Sequence, residues 1–196
     1  MITAGIDIGA RNVKAVVLKD GKVLSKKMAY AGINTKESVS RVYDEALLAG
    51  SLKKDDVQSV FATGAGRNDC VFAHDEITEV GAAAKGISYI MPDVRTIIVV
   101  GAEEGRAVRI DGKGNVIDFA INEKCAAGAG TFLESMARAL ETRVEDMADL
   151  YEQSSREISM NAQCAVFAES ELVHLVHSKV SRADIARAII TAIADR

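Results

Sequence analysis

Only three cysteines and a single proline occur among the 196 residues, and there is no excess of positive charge. Each shortage excludes something. An odd, small number of thiols in a chain without an export signal fits reduced cysteines or metal ligands better than a disulfide framework. A net charge of −4 with no concentrated basic patch argues against a nucleic-acid partner, because phosphate binding needs clustered lysine and arginine. No apolar run reaches membrane-spanning length. The strongest, Thr96-Ile-Ile-Val-Val-Gly-Ala102, has the length of a buried strand. A soluble, cytoplasmic protein with no membrane partner is expected, and no Ser-His-Asp set is apparent.

What is present is a pattern that runs once and then restarts. Apolar strands are expected at Ile2–Ile8, Val13–Lys19 and Lys22–Met28, with the hairpin pair Asp20-Gly21 between the last two. A helix over Thr35–Ala49 follows, capped by Asn34 or Thr35 and stopped by Gly50, then a strand over Val57–Thr63. The loop Gly64-Ala-Gly-Arg-Asn68 leads into an alanine-rich helix at about Glu76–Ile90, before Pro92. The restart comprises strands Thr96–Val100, Arg106–Ile110 and Asn115–Ile121 with glycine turns between them. Helices are expected at about Gly130–Leu140, Val144–Tyr151, Glu169–His177 and Arg182–Ala194. Asp7-Ile-Gly-Ala-Arg-Asn12 thus recurs as Gly101–Gly105, and Asp20-Gly21 as Asp111-Gly112. Such duplication predicts two similar domains facing each other across a cleft lined by the two glycine turns. The second copy has no closing strand–helix pair, which suggests a fragment or split product.

A tight glycine turn between strands lets backbone N–H groups approach phosphate unobstructed. Asp7 can hold magnesium through water and Lys14 can neutralise phosphate charge, although the same residues also serve plain turns. Two cysteines stand in glycine- and alanine-rich settings, Cys125 in Asn122-Glu-Lys-Cys-Ala-Ala-Gly-Ala-Gly130 and Cys164 in Asn161-Ala-Gln-Cys-Ala-Val-Phe-Ala-Glu-Ser-Glu171. A tetrahedral metal or iron–sulfur site takes four ligands, so a second subunit would have to supply the other pair. The plainer reading makes both buried small apolar residues. Cys70 lies in a loop and is incidental. His174 and His177 share one helix face and read as solvated, while Arg67 and Asn68 either reach a nucleotide or build a turn.

These segments together resemble the ATPase activators of 2-hydroxyacyl-CoA dehydratases and the ATP-binding subunits of benzoyl-CoA reductase. That group sits within the actin, sugar kinase and Hsp70 superfamily. The resemblance runs through Gly5-Ile-Asp-Ile-Gly9, Ala62-Thr-Gly-Ala-Gly-Arg-Asn68, the second glycine turn and both cysteine segments. It implies an α/β fold of duplicated actin/Hsp70-like, ribonuclease H-like domains, residues 1–92 and 93–196, the second incomplete. It implies Mg-ATP held by Gly9, Ala10, Arg11, Asn12, Lys14, Gly101, Ala102 and Glu103, with Asp7 and Glu104 in the catalytic roles. It also implies a [4Fe–4S] cluster on Cys125 and Cys164 shared between two subunits, identical or related, with a ferredoxin-like donor and an acyl-CoA reductase or dehydratase as partners.

Ala10 and Asn12 stand where the activators carry Ser or Thr, Glu104 stands for Asp, and the late Gly-Gly loop that helps hold adenosine is missing. The Glu-Glu-Gly-Arg turn resembles a benzoyl-CoA reductase subunit more than a dehydratase activator, so the former is the first expectation. A small-molecule kinase and an inert dimerisation module are the alternatives from other classes.

Overall fold

The computed structural model describes residues 1–122, 128–161 and 164–195. Strands β1 (Ile2–Ile8) and β2 (Asn12–Lys19) form from period-2 sequences, with Ala4, Ile6, Ile8, Val13, Ala15 and Val17 buried on one face. They pair antiparallel with Ile6 opposite Ala15 and Ile8 opposite Val13, so both apolar sets reach the same core. Strand β3 (Lys22–Tyr30) extends the hairpin, β4 (Ser59–Thr63) pairs parallel with β1, and the two-residue β5 (Asp75–Glu76) pairs with β4. The sheet order β3-β2-β1-β4-β5 makes β1 the central strand.

Helix α1 (Thr35–Ala49) starts where the Asn34 side chain accepts from the Glu37 N–H. It presents Val39, Val42, Tyr43, Ala46 and Leu47, the 3.6-residue spacing of one face, to the same core. There Tyr43 stacks on Phe72 with ring centroids 5.0 Å apart. Cys70 belongs to this core, and burial pushes its thiol pKa up, as a packing role requires.

Helix α2 (Glu79–Ile90) begins three residues later than the sequence pattern suggests, because Asp75 and Glu76 are taken up by pairing with Phe61 and Ala62. Thr78 then becomes the cap, accepting from the Gly81 N–H. Likewise β4 starts at Ser59, not Val57, since a single helical turn at Lys54–Asp56 precedes it.

A second sheet has the order β6-β7-β8, from β6 (Thr96–Val100), β7 (Gly105–Ile110) and β8 (Val116–Asn122). Helices α3 (Ala129–Ala139), α4 (Met147–Glu152), α5 (Ala165–His177) and α6 (Arg182–Ala194) follow. Phe132, Met136, Leu140, Met147, Leu172, Ile185 and Ile189 form their shared core. Helix α5 starts four residues before the expected Glu169. Its register is set by Ala168 and Leu172, which pack into that core, while Glu169 stays on the solvent side. The chain divides into two compact units, residues 1–97 with 108–119, and 98–107 with 120–196, so the division passes through the second sheet. None of the helices among the described residues is long and apolar enough to cross a membrane.

Within the second unit, the buried Asp184 ties the α4–α5 connection to the start of α6. Its carboxylate accepts from the N–H groups of Ser155 and Arg156 at 2.9 and 2.8 Å, and its own N–H donates to Ser181 Oγ at 3.1 Å. The Ser181 hydroxyl, then the Ser155 and Arg156 amides, hold its pKa below the usual carboxylate value against the opposing effect of burial. A lowered native pKa means the ionised form stabilises the fold above about pH 4, and this contribution disappears as pH falls through the native pKa. Asp184→Asn is therefore expected to lower the urea midpoint at pH 7 and to flatten its decline below about pH 4, measured by circular dichroism at both pH values.

Candidate functional site

The first glycine turn joins the central strand to its hairpin partner. Gly9 N–H donates to the Asn12 carbonyl at 3.0 Å, which closes the turn and leaves Ala10 exposed at its tip. Asp7 lies near the carboxyl end of β1, directly opposite Lys14 in register, and the Lys14 ammonium reaches its Oδ2 at 2.7 Å. On the other side Thr63 is its register partner on the parallel strand β4, and the Thr63 hydroxyl is buried without a hydrogen-bond partner among the described residues. The carboxyl ends of neighbouring parallel strands are where open α/β sheets bind ligands. Arg11 sits with its guanidinium 5.6 Å from the centre of the Tyr30 ring.

Gly64 and Gly66 brace this turn from the loop after β4. The Gly66 N–H donates to the Ile8 carbonyl at 2.9 Å. A methyl group on Gly64 would overlap that carbonyl and lie 2.7 Å from Asp7 Oδ1, and its φ of +96° is itself unfavourable for any side chain. Arg67, for which the sequence allows either a nucleotide contact or a turn, is held by structure: Nε donates to Glu76 Oε2 at 3.0 Å and a second nitrogen to the Gly64 carbonyl at 3.3 Å.

The second turn repeats the first. Gly101 N–H donates to the Glu104 carbonyl at 2.8 Å, the same three-residue closure as Gly9 to Asn12. Glu104 accepts from Arg106 at 2.7 Å, and the Arg106 side chain is largely buried. The backbone carbonyls of the turn are occupied by the start of α3. Gly130 N–H donates to Gly101 O at 3.0 Å, and Ala102 O receives both the N–H (3.2 Å) and the hydroxyl (2.6 Å) of Thr131. Gly128 packs so closely on the Glu103 backbone that a methyl group there would overlap it. A cavity of about 1290 Å³ adjoins the turn, lined by Glu103 and Arg106 and by the apolar Ile98, Val100, Leu133 and Ile193.

Cys125 lies outside the described residues. Cys164 is the residue immediately before α5, half-buried, and its N–H donates to Asn161 Oδ1 at 3.4 Å. Among the described residues no side chain caps the start of that helix, whose first N–H groups lack intrahelical partners. His174 and His177 are exposed in its last turn, and no three His, Cys, Asp or Glu side chains gather at metal-binding distances among the described residues.

Comparison with known proteins supplies the remaining observation, because residues 4–196 match the model of the BadF/BadG/BcrA/BcrD ATPase family. The chain belongs to that family. It is 41% identical to the activator of lactoyl-CoA dehydratase from Anaerotignum propionicum over 197 residues, all of this chain and 76% of that protein. A solved structure of the activator of 2-hydroxyisocaproyl-CoA dehydratase from Clostridium difficile, with bound ADPNP, matches with a TM-score of 0.90 and 34% identity, covering all of this chain and 73% of that one. A benzoyl-CoA reductase subunit from Thauera aromatica is 30% identical over 200 residues, covering all of this chain and 71% of that protein. The family's α/β fold is of the actin, sugar kinase and Hsp70 type, as the resemblance implied.

The residues that pattern reading overlooked in this site are Thr63, Arg106, Thr131 and the bracing glycines. For the glycines the signal was the recurrence of Gly-Ala-Gly at 64–66 and 128–130, with Thr63 and Thr131 next to those tripeptides, and Arg106 stood in the Glu-Glu-Gly-Arg turn.

Proposed function

We propose that this chain is the ATP-driven activator of an acyl-CoA dehydratase, binding Mg-ATP at the two glycine turns. With a second subunit it would hold a [4Fe–4S] cluster through Cys125 and Cys164. The observation that carries the cluster assignment is the position of Cys164 at a helix start with no side-chain cap among the described residues, where N–H groups without intrahelical partners and the helix dipole favour a thiolate and an anionic ligand. Cys125 precedes, by three residues, the glycine that caps α3, so both cysteines closely precede helices in the chain. A cluster held on these thiolates would supply low-potential, one-electron chemistry.

The chain's own part in ATP hydrolysis begins at Asp7. Its carboxylate, held by Lys14, is suited to bind magnesium through water, while Lys14 offsets charge on the phosphate. Glu104, oriented by Arg106, takes the corresponding role on the second turn. The bound ADPNP of the solved relative supports nucleotide binding by this set. Hydrolysis needs to favour one of two conformations only by the difference in their nucleotide affinity for electron delivery to be gated. The identities, 41% to a dehydratase activator and 30% to a benzoyl-CoA reductase subunit, reverse the order that the Glu-Glu-Gly-Arg turn had suggested.

Iron and acid-labile sulfide analysis after anaerobic purification tests the assignment. About four irons per two chains are expected, with a visible band bleached by dithionite, both lost in Cys125→Ser and in Cys164→Ser. A colourless, iron-free wild type after reconstitution would sink the cluster reading.

A further inference from the structure

We infer that Thr63 is a positioning residue for Asp7, a hydroxyl donor that takes over the carboxylate when the Lys14 ammonium turns to phosphate. The inference rests on the nucleotide reading of Asp7 and Lys14 above. Strand periodicity carries the first step. Ile6 and Ile8 on β1 and Ala62 on β4 are buried in the core, so Asp7 and its register partner Thr63 lie together on the opposite face of the sheet. The two carboxylate oxygens of Asp7 look to different sides. Oδ2 takes the Lys14 ammonium from β2 at 2.7 Å, while Oδ1 lies 2.7 Å from the place of a Cβ on Gly64, the residue after Thr63. Oδ1 thus stands beside the end of the strand that carries the hydroxyl.

The second step is energetic. The Thr63 hydroxyl is buried with no hydrogen-bond partner among the described residues, and such a group carries a desolvation cost that a valine of the same shape would not. Neighbouring strands run about 4.8 Å apart, a gap that a hydroxyl spans by turning between staggered rotamers. While Lys14 holds Asp7, the carboxylate has a charged donor and the hydroxyl is not called on. An ammonium that swings to phosphate releases Asp7, and the carboxylate loses its donor at the moment when its orientation matters. Thr63 supplies the replacement from the other neighbouring strand. The desolvation cost present in the ligand-free protein is recovered in the nucleotide complex, so the hydroxyl lowers resting stability and raises affinity for nucleotide.

The test uses the full chain in two arms. Without nucleotide and with EDTA, urea unfolding followed by circular dichroism reads the exchange of donors directly. Thr63→Val is expected to leave the wild-type midpoint unchanged or to raise it, because the isostere removes only an unpaired hydroxyl. In a Lys14→Met background the hydroxyl has Asp7 to itself, so the same substitution should lower the midpoint by about 0.5 M. Lys14→Ala serves as the background if the Met variant does not fold. In the second arm, a fluorescent ADP with magnesium should bind Thr63→Val about tenfold more weakly than wild type, the size of one hydrogen bond to a charged group. Thr63→Ser should bind within about twofold of wild type, although the lost methyl group lowers its urea midpoint. A purely structural Thr63 would move stability and affinity together, and would not be rescued by serine. Equal midpoint changes for Thr63→Val in the two backgrounds, or equal ADP affinity in wild type and Thr63→Val, overturn the inference alone. Absence of Mg-ADP binding by wild type overturns both the inference and the nucleotide reading on which it rests.

Discussion

Gly64→Ala is expected to destabilise the first unit by about 3 kcal/mol, the combined size of a non-glycine residue forced into the positive-φ region and an overpacked contact. Both contributions are visible at this residue. Its φ is +96°, and the space a Cβ would occupy is filled by the Ile8 carbonyl and the Asp7 carboxylate. Relief would require β4 or β1 to shift, yet the two are paired in register from Thr3–Ser59 to Asp7–Thr63. The strain should thus be felt across the central sheet. Urea unfolding followed by circular dichroism measures it. Gly86, where an added Cβ meets nothing within 4 Å, provides the comparison, since Gly86→Ala in the middle of α2 should stabilise slightly. An unfolding midpoint for Gly64→Ala equal to wild type would show that the loop after β4 can yield.

Asp7→Asn is expected to separate function from stability. The Asp7–Lys14 pair is exposed, with 35% and 48% of the two side chains accessible, so its loss should cost under about 1 kcal/mol. Hydrolysis of Mg-ATP, by contrast, should fall by roughly two to three orders of magnitude, the usual consequence of removing one preorganised electrostatic contact from a reacting phosphate. The amide keeps the shape and loses the negative charge that, on the proposed reading, would order magnesium and its water. Phosphate release measured beside thermal unfolding distinguishes the two effects. Unchanged hydrolysis in a well-folded variant would remove Asp7 from the catalytic role and shift attention to Glu104.

Much of the local structure was legible because local chemistry decides it. Alternating Ala4, Ile6 and Ile8 could only be a strand with one buried face, and Asn34 before an apolar 3.6-residue pattern marks a helix start. The turn at Gly9 and its repeat at Gly101 were readable as the same motif, and their three-residue closures coincide in kind. The starts of α2 and α5 differ from the sequence expectation for a common reason. Asp75 and Glu76 became strand by pairing with Phe61 and Ala62, and α5 began early because Ala168 and Leu172 had a core to enter. Both outcomes depend on residues distant in the chain, where tertiary contacts override propensity.

The amino-acid sequence alone determined the strand–turn–strand order, the duplicated glycine turns, the position of Asp7 and Lys14 on either side of the first turn and the two cysteine segments that carry the family resemblance. Tertiary structure decided what those pieces touch. Glycine at 64, 128 and 130 is visible in the sequence, but the Ile8 carbonyl and the Glu103 and Gly101 backbones that make it necessary are not. Nor does anything local to Thr131 foretell that its hydroxyl closes on Ala102, 29 residues earlier. Such contacts arise where two backbone segments are packed together by cores elsewhere, so their geometry belongs to the assembled fold and not to any one stretch of chain.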